Sequence, residues 1–220
     1  MAAPQAFGGS ELPVPQPARL VIGEGAVLLG GFAAAVADEA VAAIGEIAAA
    51  AAFRTMTTPG GRRMSVAMTN CGAAGWVSDR AGYRYSGTDP DTDRCWPPMP
   101  DLFADLAANA AAAAGYRGFA PDACLVNRYE PGVQLSLHQD RNERDVSAPI
   151  VSVSLGLPAM FLFGGRTRGE PPRPFAVHHG DVVVWGGPSR LFYHGVRRLA
   201  DGVHPVTGRV RFNLTLRRAL

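Results

Sequence analysis

Lysine is absent from this sequence of 220 residues, and all 21 basic side chains are arginine. That absence excludes chemistries built on a reactive or phosphate-cradling lysine: Schiff-base and pyridoxal catalysis, and P-loop nucleotide hydrolysis. Cysteine is scarce as well. Cys71, Cys95 and Cys124 are odd in number, far apart and without a C-x-x-C spacing. This argues against a disulfide framework or a structural zinc and suits a reducing cytoplasm. Charge of one sign is also lacking, since 19 acidic residues leave a formal net charge of only +2. Contact with a polyanion must then be local rather than a whole-surface field. Charged residues make up 18% and hydrophobic residues 47%, a balance that excludes a disordered chain and supports a single core.

The opening MAAPQAFGGSELPVPQP has neither a basic stretch nor an apolar one, so it does not read as a signal peptide. Residues 1–17 read as a disordered tail and residues 18–220 as one domain. The apolar stretch from Phe32 to Phe53 carries Asp38, Glu39 and Glu46. One such acid at a bilayer centre costs about 2.5–3.5 kcal/mol, so the stretch is a helix of a soluble protein. Its Ala-rich part predicts a helix over 34–52, and a second is predicted from Leu102 to about Ala114, between Pro100 and Gly115. Residues 57–100 have the Gly, Pro, Thr and Asp texture of hairpins and loops.

From Ala123 the pattern changes to short β-rich runs. Strands are predicted near Cys124–Tyr129, Gln134–Asp140, Ile150–Leu155, Met160–Phe163, Phe175–His178, Val182–Trp185, Leu191–His194 and Val210–Leu216. Eight such strands imply a mainly β sandwich or barrel supported on one side by helices.

Two constellations carry chemistry. In Leu135-Ser-Leu-His-Gln-Asp140, strand alternation would aim His138 and Asp140 at one spot. A second histidine, such as His194, would complete two imidazoles and a carboxylate with open positions, the donor set of non-haem Fe(II). The pattern is short, and His179-Gly-Asp181 offers it again, although there the glycine suggests a turn. At the C-terminus, alternation places Arg211, Asn213, Thr215 and Arg217 on one face and Phe212, Leu214 and Leu216 on the other. Two guanidiniums and an amide suit a small dicarboxylate, while a solvated edge strand would show the same pattern. Asn127 and Tyr129 form a similar same-face pair.

Longer runs make the pattern specific. Asn127-Arg-Tyr-Glu-Pro-Gly132, Leu135 to Asp140, Ala148 to Pro158, His179 to Gly187, Ser189-Arg-Leu-Phe-Tyr-His-Gly195 and Arg211 to Arg217 together resemble the bacterial AlkB family. Upstream, Met64 to Gly72, Gly75-Trp76 and Gly82-Tyr-Arg-Tyr85 resemble it too, so the likeness runs from about Pro17 to the end. These are Fe(II)/2-oxoglutarate-dependent dioxygenases that repair alkylated nucleic acids. The resemblance implies a double-stranded β-helix (jelly roll), α+β but mainly β, with supporting helices and an N-terminal nucleotide-recognition lid together over 18–120 and a catalytic core over 121–220. It also implies Fe(II) on His138, Asp140 and His194, and settles the choice against His179 and Asp181. 2-Oxoglutarate would place its far carboxylate on Arg211 and Arg217, with Asn127, Tyr129 and Asn213 completing its site and O2 as co-substrate.

The implied reaction removes the methyl group of 1-methyladenine or 3-methylcytosine as formaldehyde, with succinate and CO2. Alkylated DNA, preferentially single-stranded, is the implied partner, RNA an alternative one, and the chain a cytoplasmic monomer. By similarity Trp76 would stack on the base opposite His138, and Tyr83, Arg84, Tyr85 and Arg168 would contact the nucleotide. Two departures stand out. Asn142 occupies a base-facing position where the family's best-known bacterial form has a carboxylate, and Gln134 replaces a phosphate-facing lysine. The rival readings are a small-molecule or protein hydroxylase on the same scaffold, a non-catalytic nucleic-acid binder, and a cupin-like metal isomerase.

Overall fold

The computed structural model describes residues 18–220, so the predicted tail lies outside the described residues. In chain order the elements are β1 (Ala18–Gly23), β2 (Ala26–Gly30), α1 (Ala37–Ala50), β3 (Ala67–Gly72), β4 (Gly75–Asp79), β5 (Gly82–Ser86) and α2 (Asp101–Ala113). The remaining strands are β6 (Ala123–Tyr129), β7 (Leu135–His138), β8 (Ile150–Gly156), β9 (Ala159–Phe163), β10 (Arg173–Val177), β11 (Val182–Trp185), β12 (His194–Val196) and β13 (Arg211–Arg217). No helix among the described residues is long and apolar enough to cross a membrane.

The helices form where the composition favours them. In α1 the buried positions Ala37, Ala40, Ile44 and Ile47 recur at helical spacing, and Asp38 and Glu39 sit at the positive end of the helix dipole. In α2, Phe103, Leu106, Ala107, Ala110 and Ala111 make the buried face.

Both helices pack on one side of an antiparallel seven-stranded sheet of order β1-β2-β11-β8-β13-β6-β3. Val126, Val151, Val153, Val184, Leu214 and Leu216 supply the sheet's share of that core. Burying each such side chain contributes about 1.5–3 kcal/mol. The opposite face turns toward a four-stranded sheet, β10-β9-β12-β7, across a second core that includes Phe161, Phe163, Val177 and Trp185. The two facing sheets make the jelly roll. The hairpin β4–β5 stands apart as a two-stranded sheet.

Three details differ from expectation. The β1–β2 hairpin was not predicted, because Ala26-Val-Leu-Leu is a short apolar run without alternation, which periodicity alone cannot assign. β7 ends at His138 instead of running on to Asp140. The strand expected at Leu191–His194 begins only at His194, because Phe192 N–H donates to the Ser189 carbonyl and closes a turn first.

Candidate metal and co-substrate site

β12 pairs with β7 so that His194 lies directly across from His138. Close approach of the strands requires glycine after the histidine, since a Cβ on Gly195 would stand 2.6 Å from the Leu135 carbonyl oxygen. The two imidazole centroids are 4.4 Å apart. Asp140 completes the group, with Oδ1 3.6 Å from His138 Nε2 and Oδ2 3.6 Å from His194 Nε2. All three ligand atoms lie within 4.8 Å of one another, and no other trio of such residues converges this way among the described residues.

The imidazoles are prepared as ligands. His138 Nδ1 lies 2.9 Å from the Ser136 carbonyl oxygen and His194 Nδ1 3.0 Å from that of Phe192. A carbonyl only accepts, so the proton sits on Nδ1 and the Nε2 lone pairs face Asp140. Burial, reinforced by the neighbouring His194, pulls the His138 pKa down to about 4, which keeps the ring neutral near pH 7. Burial would push Asp140 up, but Arg217 and the two histidines outweigh it and hold the carboxyl well below its usual range. The competing pair is a turn: Asp181 accepts from the His178 and Gly31 N–H groups, both at 2.7 Å.

The metal trio opens on a cavity of about 710 Å³ whose floor is the inner face of the seven-stranded sheet. β13 is central there, not an edge, and its alternation holds: Arg211, Asn213, Thr215 and Arg217 line the cavity while Leu214 and Leu216 face the helices. Arg211 is 2% exposed. Its Nη2 donates to Ser154 Oγ at 3.1 Å, while Nε and Nη1 have no partner. The Tyr129 hydroxyl and Asn127 Oδ1 are likewise buried without a partner. Burial pushes the Tyr129 hydroxyl up to about 12 against the pull of Arg211, so it remains a donor. Leaving such groups unmade costs about 1–3 kcal/mol each, so the floor is built for a polar occupant. Three orphan donors around a buried guanidinium fit a carboxylate.

The two arginines expected to share one carboxylate are split. Arg217 donates from Nε and Nη2 to Asp140 Oδ2 at 3.0 and 2.6 Å, leaving Oδ1 as the oxygen open to a metal. Arg211 keeps two unpartnered donors, Nε and Nη1, in the floor. Asn213 is anchored, its Nδ2 donating to Ser152 Oγ at 2.8 Å and to the Val153 carbonyl at 2.9 Å.

The roof is the β4–β5 hairpin. Trp76 and Tyr83 line the cavity and stack on each other, with centroids 5.6 Å apart and planes 15° from parallel. Asn142 and Arg168 also line it. Trp76 Nε1 donates to Asn142 Oδ1 at 3.4 Å, and Arg168 lies over the Tyr193 ring. Arg84 and Tyr85 are placed differently from the expected nucleotide contacts. Strand alternation turns Arg84 to the other face, where it pairs with Asp79 at 2.7 and 2.9 Å. Tyr85 reaches beneath the hairpin to Glu143 at 2.7 Å.

Ser152, Ser154, Glu143 and Arg190 support the site without having been foreseen. The serines had a signal: Ser-Val-Ser within an otherwise apolar strand marks a polar inner face at period two. Glu143 and Arg190 had none, since each meets its partners only through the fold.

Residues 25–217 match the family described as the 2OG-Fe(II) oxygenase superfamily. The chain is 57% identical over 195 residues to the alpha-ketoglutarate-dependent dioxygenase AlkB of Salmonella typhimurium, covering 89% of this chain and 90% of that protein. It is 55% identical over 204 residues to the Escherichia coli protein of the same name, covering 93% and 94%. Among solved structures, OsALKBH1 superposes with a TM-score of 0.81 at 28% identity, covering 91% of this chain and all of that one. The donor trio, the anion floor and these likenesses agree: the chain belongs to the 2OG-Fe(II) oxygenase superfamily, in its AlkB branch of iron- and 2-oxoglutarate-dependent dioxygenases.

Proposed function

We propose that this dioxygenase repairs DNA by oxidatively removing N-linked methyl groups from bases such as 1-methyladenine and 3-methylcytosine. The observation that carries the proposal is the aromatic roof: Trp76 and Tyr83 wall the same cavity as His138, Asp140 and His194. A flat aromatic ligand held there would have its substituents near the donor trio. When bound, Fe(II) with 2-oxoglutarate and O2 supplies the oxidising power to hydroxylate a C–H bond. Overall, 2-oxoglutarate, O2 and the N-methyl group give succinate, CO2 and an N-hydroxymethyl group, which leaves as formaldehyde with a proton and restores the ring nitrogen's lone pair.

The chain's own residues divide the work. His138, Asp140 and His194 hold the metal. Arg211 and Tyr129 receive the far carboxylate of 2-oxoglutarate, Asn127 and Asn213 border it, and Arg217 fixes the orientation of Asp140. Trp76 and Tyr83 stack against the base, and Asn142 and Arg168 meet its edge and phosphate. Because the trio lies at the bottom of a cavity, the base must leave its stack. Lesions that cannot pair cost least to extrude, which favours single-stranded DNA, with RNA as the comparison substrate. We assign the monomeric chain to the cytoplasm, consistent with its free thiols at Cys71, Cys95 and Cys124.

The test is formaldehyde release from a single-stranded oligonucleotide carrying one 1-methyladenine, supplied with Fe(II), 2-oxoglutarate and O2. Stoichiometric formaldehyde is expected, and none from His138→Ala. Consumption of 2-oxoglutarate without formaldehyde would keep the iron site and overturn the substrate.

A further inference from the structure

Asp140 lies beyond the end of β7, where no strand pairing positions it. What holds it is a buried network of alternating charge. Arg217 grips its carboxylate through Oδ2. Arg190 grips its backbone, Nη1 donating to the Asp140 carbonyl at 2.7 Å while Nε donates to that of Ala148 at 2.9 Å. Between the two guanidiniums stands Glu143, with Oε2 3.1 Å from Arg190 Nη2 and Oε1 3.3 Å from Arg217 Nε. The side chains of Glu143, Arg190 and Arg217 are all at least 95% buried. Two carboxylates thus balance two guanidiniums, and losing either acid would leave an uncompensated buried charge. The fifth member comes from the roof, where the Tyr85 hydroxyl donates to Glu143 Oε1 at 2.7 Å.

We propose that Glu143 is a positioning residue for the metal site, and that Tyr85 makes this positioning depend on the seating of the roof. Glu143 touches no reacting atom. It braces Arg190 and Arg217 against Asp140, so the carboxylate keeps Oδ1 toward His138 and Oδ2 toward His194. Through Tyr85 the same carboxylate is a fastening point for the β4–β5 hairpin. Seating of the roof and metal binding then favour each other, and by linkage the effect must run in both directions. The inference rests on the reading of His138, Asp140 and His194 as metal ligands, and not on which base is repaired.

The reciprocal effect is measurable without nucleic acid and without turnover. The full chain is titrated with Co(II), followed by its visible absorption, and hydrogen exchange of the β4–β5 amides is recorded with and without the ion. Co(II) is expected to slow exchange in the wild-type hairpin. Glu143→Gln is expected to bind Co(II) about 10–100-fold more weakly, the usual loss when support for a metal ligand is removed, and with an altered spectrum. Tyr85→Phe removes one hydroxyl and is expected to abolish the Co(II)-dependent slowing. Glu143→Gln with wild-type affinity and spectrum would overturn the positioning role. Undiminished slowing in Tyr85→Phe would overturn the coupling, and this variant decides alone if Glu143→Gln does not fold. A wild type that binds no Co(II) refutes the metal reading beneath both. Co(II) binding without formaldehyde release refutes only the choice of substrate.

Discussion

The floor of the cavity is carried by β6, β8 and β13, each hydrogen-bonded to a strand on both sides, whereas its roof, the β4–β5 hairpin, pairs only with itself. On the floor, register is enforced twice. A one-residue slip of β13 would bring Leu214 and Leu216 into the cavity and drive Arg211 and Arg217 against the helices. An isolated hairpin is marginal in water, so the roof hangs on single side chains. Asn70, on β3, accepts from Trp76 N–H at 3.0 Å and donates to the Trp76 carbonyl at 3.1 Å, and Ser78 Oγ donates to the Thr57 carbonyl at 2.7 Å. Gly75 permits this approach, since a Cβ there would meet the Trp96 ring at 2.4 Å. The anion floor is thus set by a continuous sheet, and the roof by a few separable contacts.

The largest expected effects lie on the floor, where the two faces of β13 can be set against each other. Arg211→Met removes a buried charge with two unpartnered N–H groups. Losing a charged partner of this kind costs about 2–5 kcal/mol, so the KM for 2-oxoglutarate should rise roughly 30-fold to several thousand-fold. The melting temperature without co-substrate should hold or increase, since those N–H groups are unmet in the free protein. Leu214→Ala, one strand face away, should do the reverse: a loss of about 2–5 kcal/mol in denaturant unfolding, with that KM close to wild type. If both variants shift both quantities alike, the division between faces fails.

That division is the part most legible in the sequence. Alternating Arg211, Asn213 and Arg217 with Phe212, Leu214 and Leu216 needs only the two-residue period, and the strand's central place resolves the alternative of a solvated edge. His138 and His194 could be named because each sits in a recognisable run. For Asp140 the sequence offers only part of the reason: strand alternation predicts its aim, yet Arg190 and Arg217 hold it from distant segments. Local sequence carries no trace of such contacts. Arg84 also lies in a matching run, and its strand face points it at Asp79, a placement the run alone does not reveal.

Intermediate effects are expected from the roof. Stacking on an aromatic side chain contributes about 1–3 kcal/mol per base, so Trp76→Ala should raise the KM for a methylated oligonucleotide about 5- to 150-fold. The KM for 2-oxoglutarate should stay within twofold. Asn70→Ala leaves the tryptophan but removes both its backbone anchors, and should raise the oligonucleotide KM about tenfold at roughly 1.4 kcal/mol. Faster hydrogen exchange confined to β4–β5 in Asn70→Ala would identify loosening as the cause. Exchange spreading into β6 and β13 would show instead that roof and floor are one cooperative unit.

The smallest effect tests what the roof reads. Asn142 accepts from Trp76 Nε1 and faces the cavity with a neutral amide. Asn142→Asp keeps that acceptor and the side-chain shape while adding one negative charge. Bases methylated at N1 of adenine or N3 of cytosine are cationic, whereas etheno adducts are largely neutral, so the added charge should favour only the first group. At about 4 Å through water-like dielectric the attraction is about 1 kcal/mol, or about fivefold in kcat/KM. Asn142 is exposed, so that dielectric is the appropriate one. Comparing kcat/KM for 1-methyladenine and ethenoadenine in the same oligonucleotide separates charge from shape. A gain for the cationic base alone would mean that the amide has relaxed this chain's preference toward neutral adducts. Equal changes for both would mean that Trp76 and Tyr83 select by surface and that position 142 merely braces the indole.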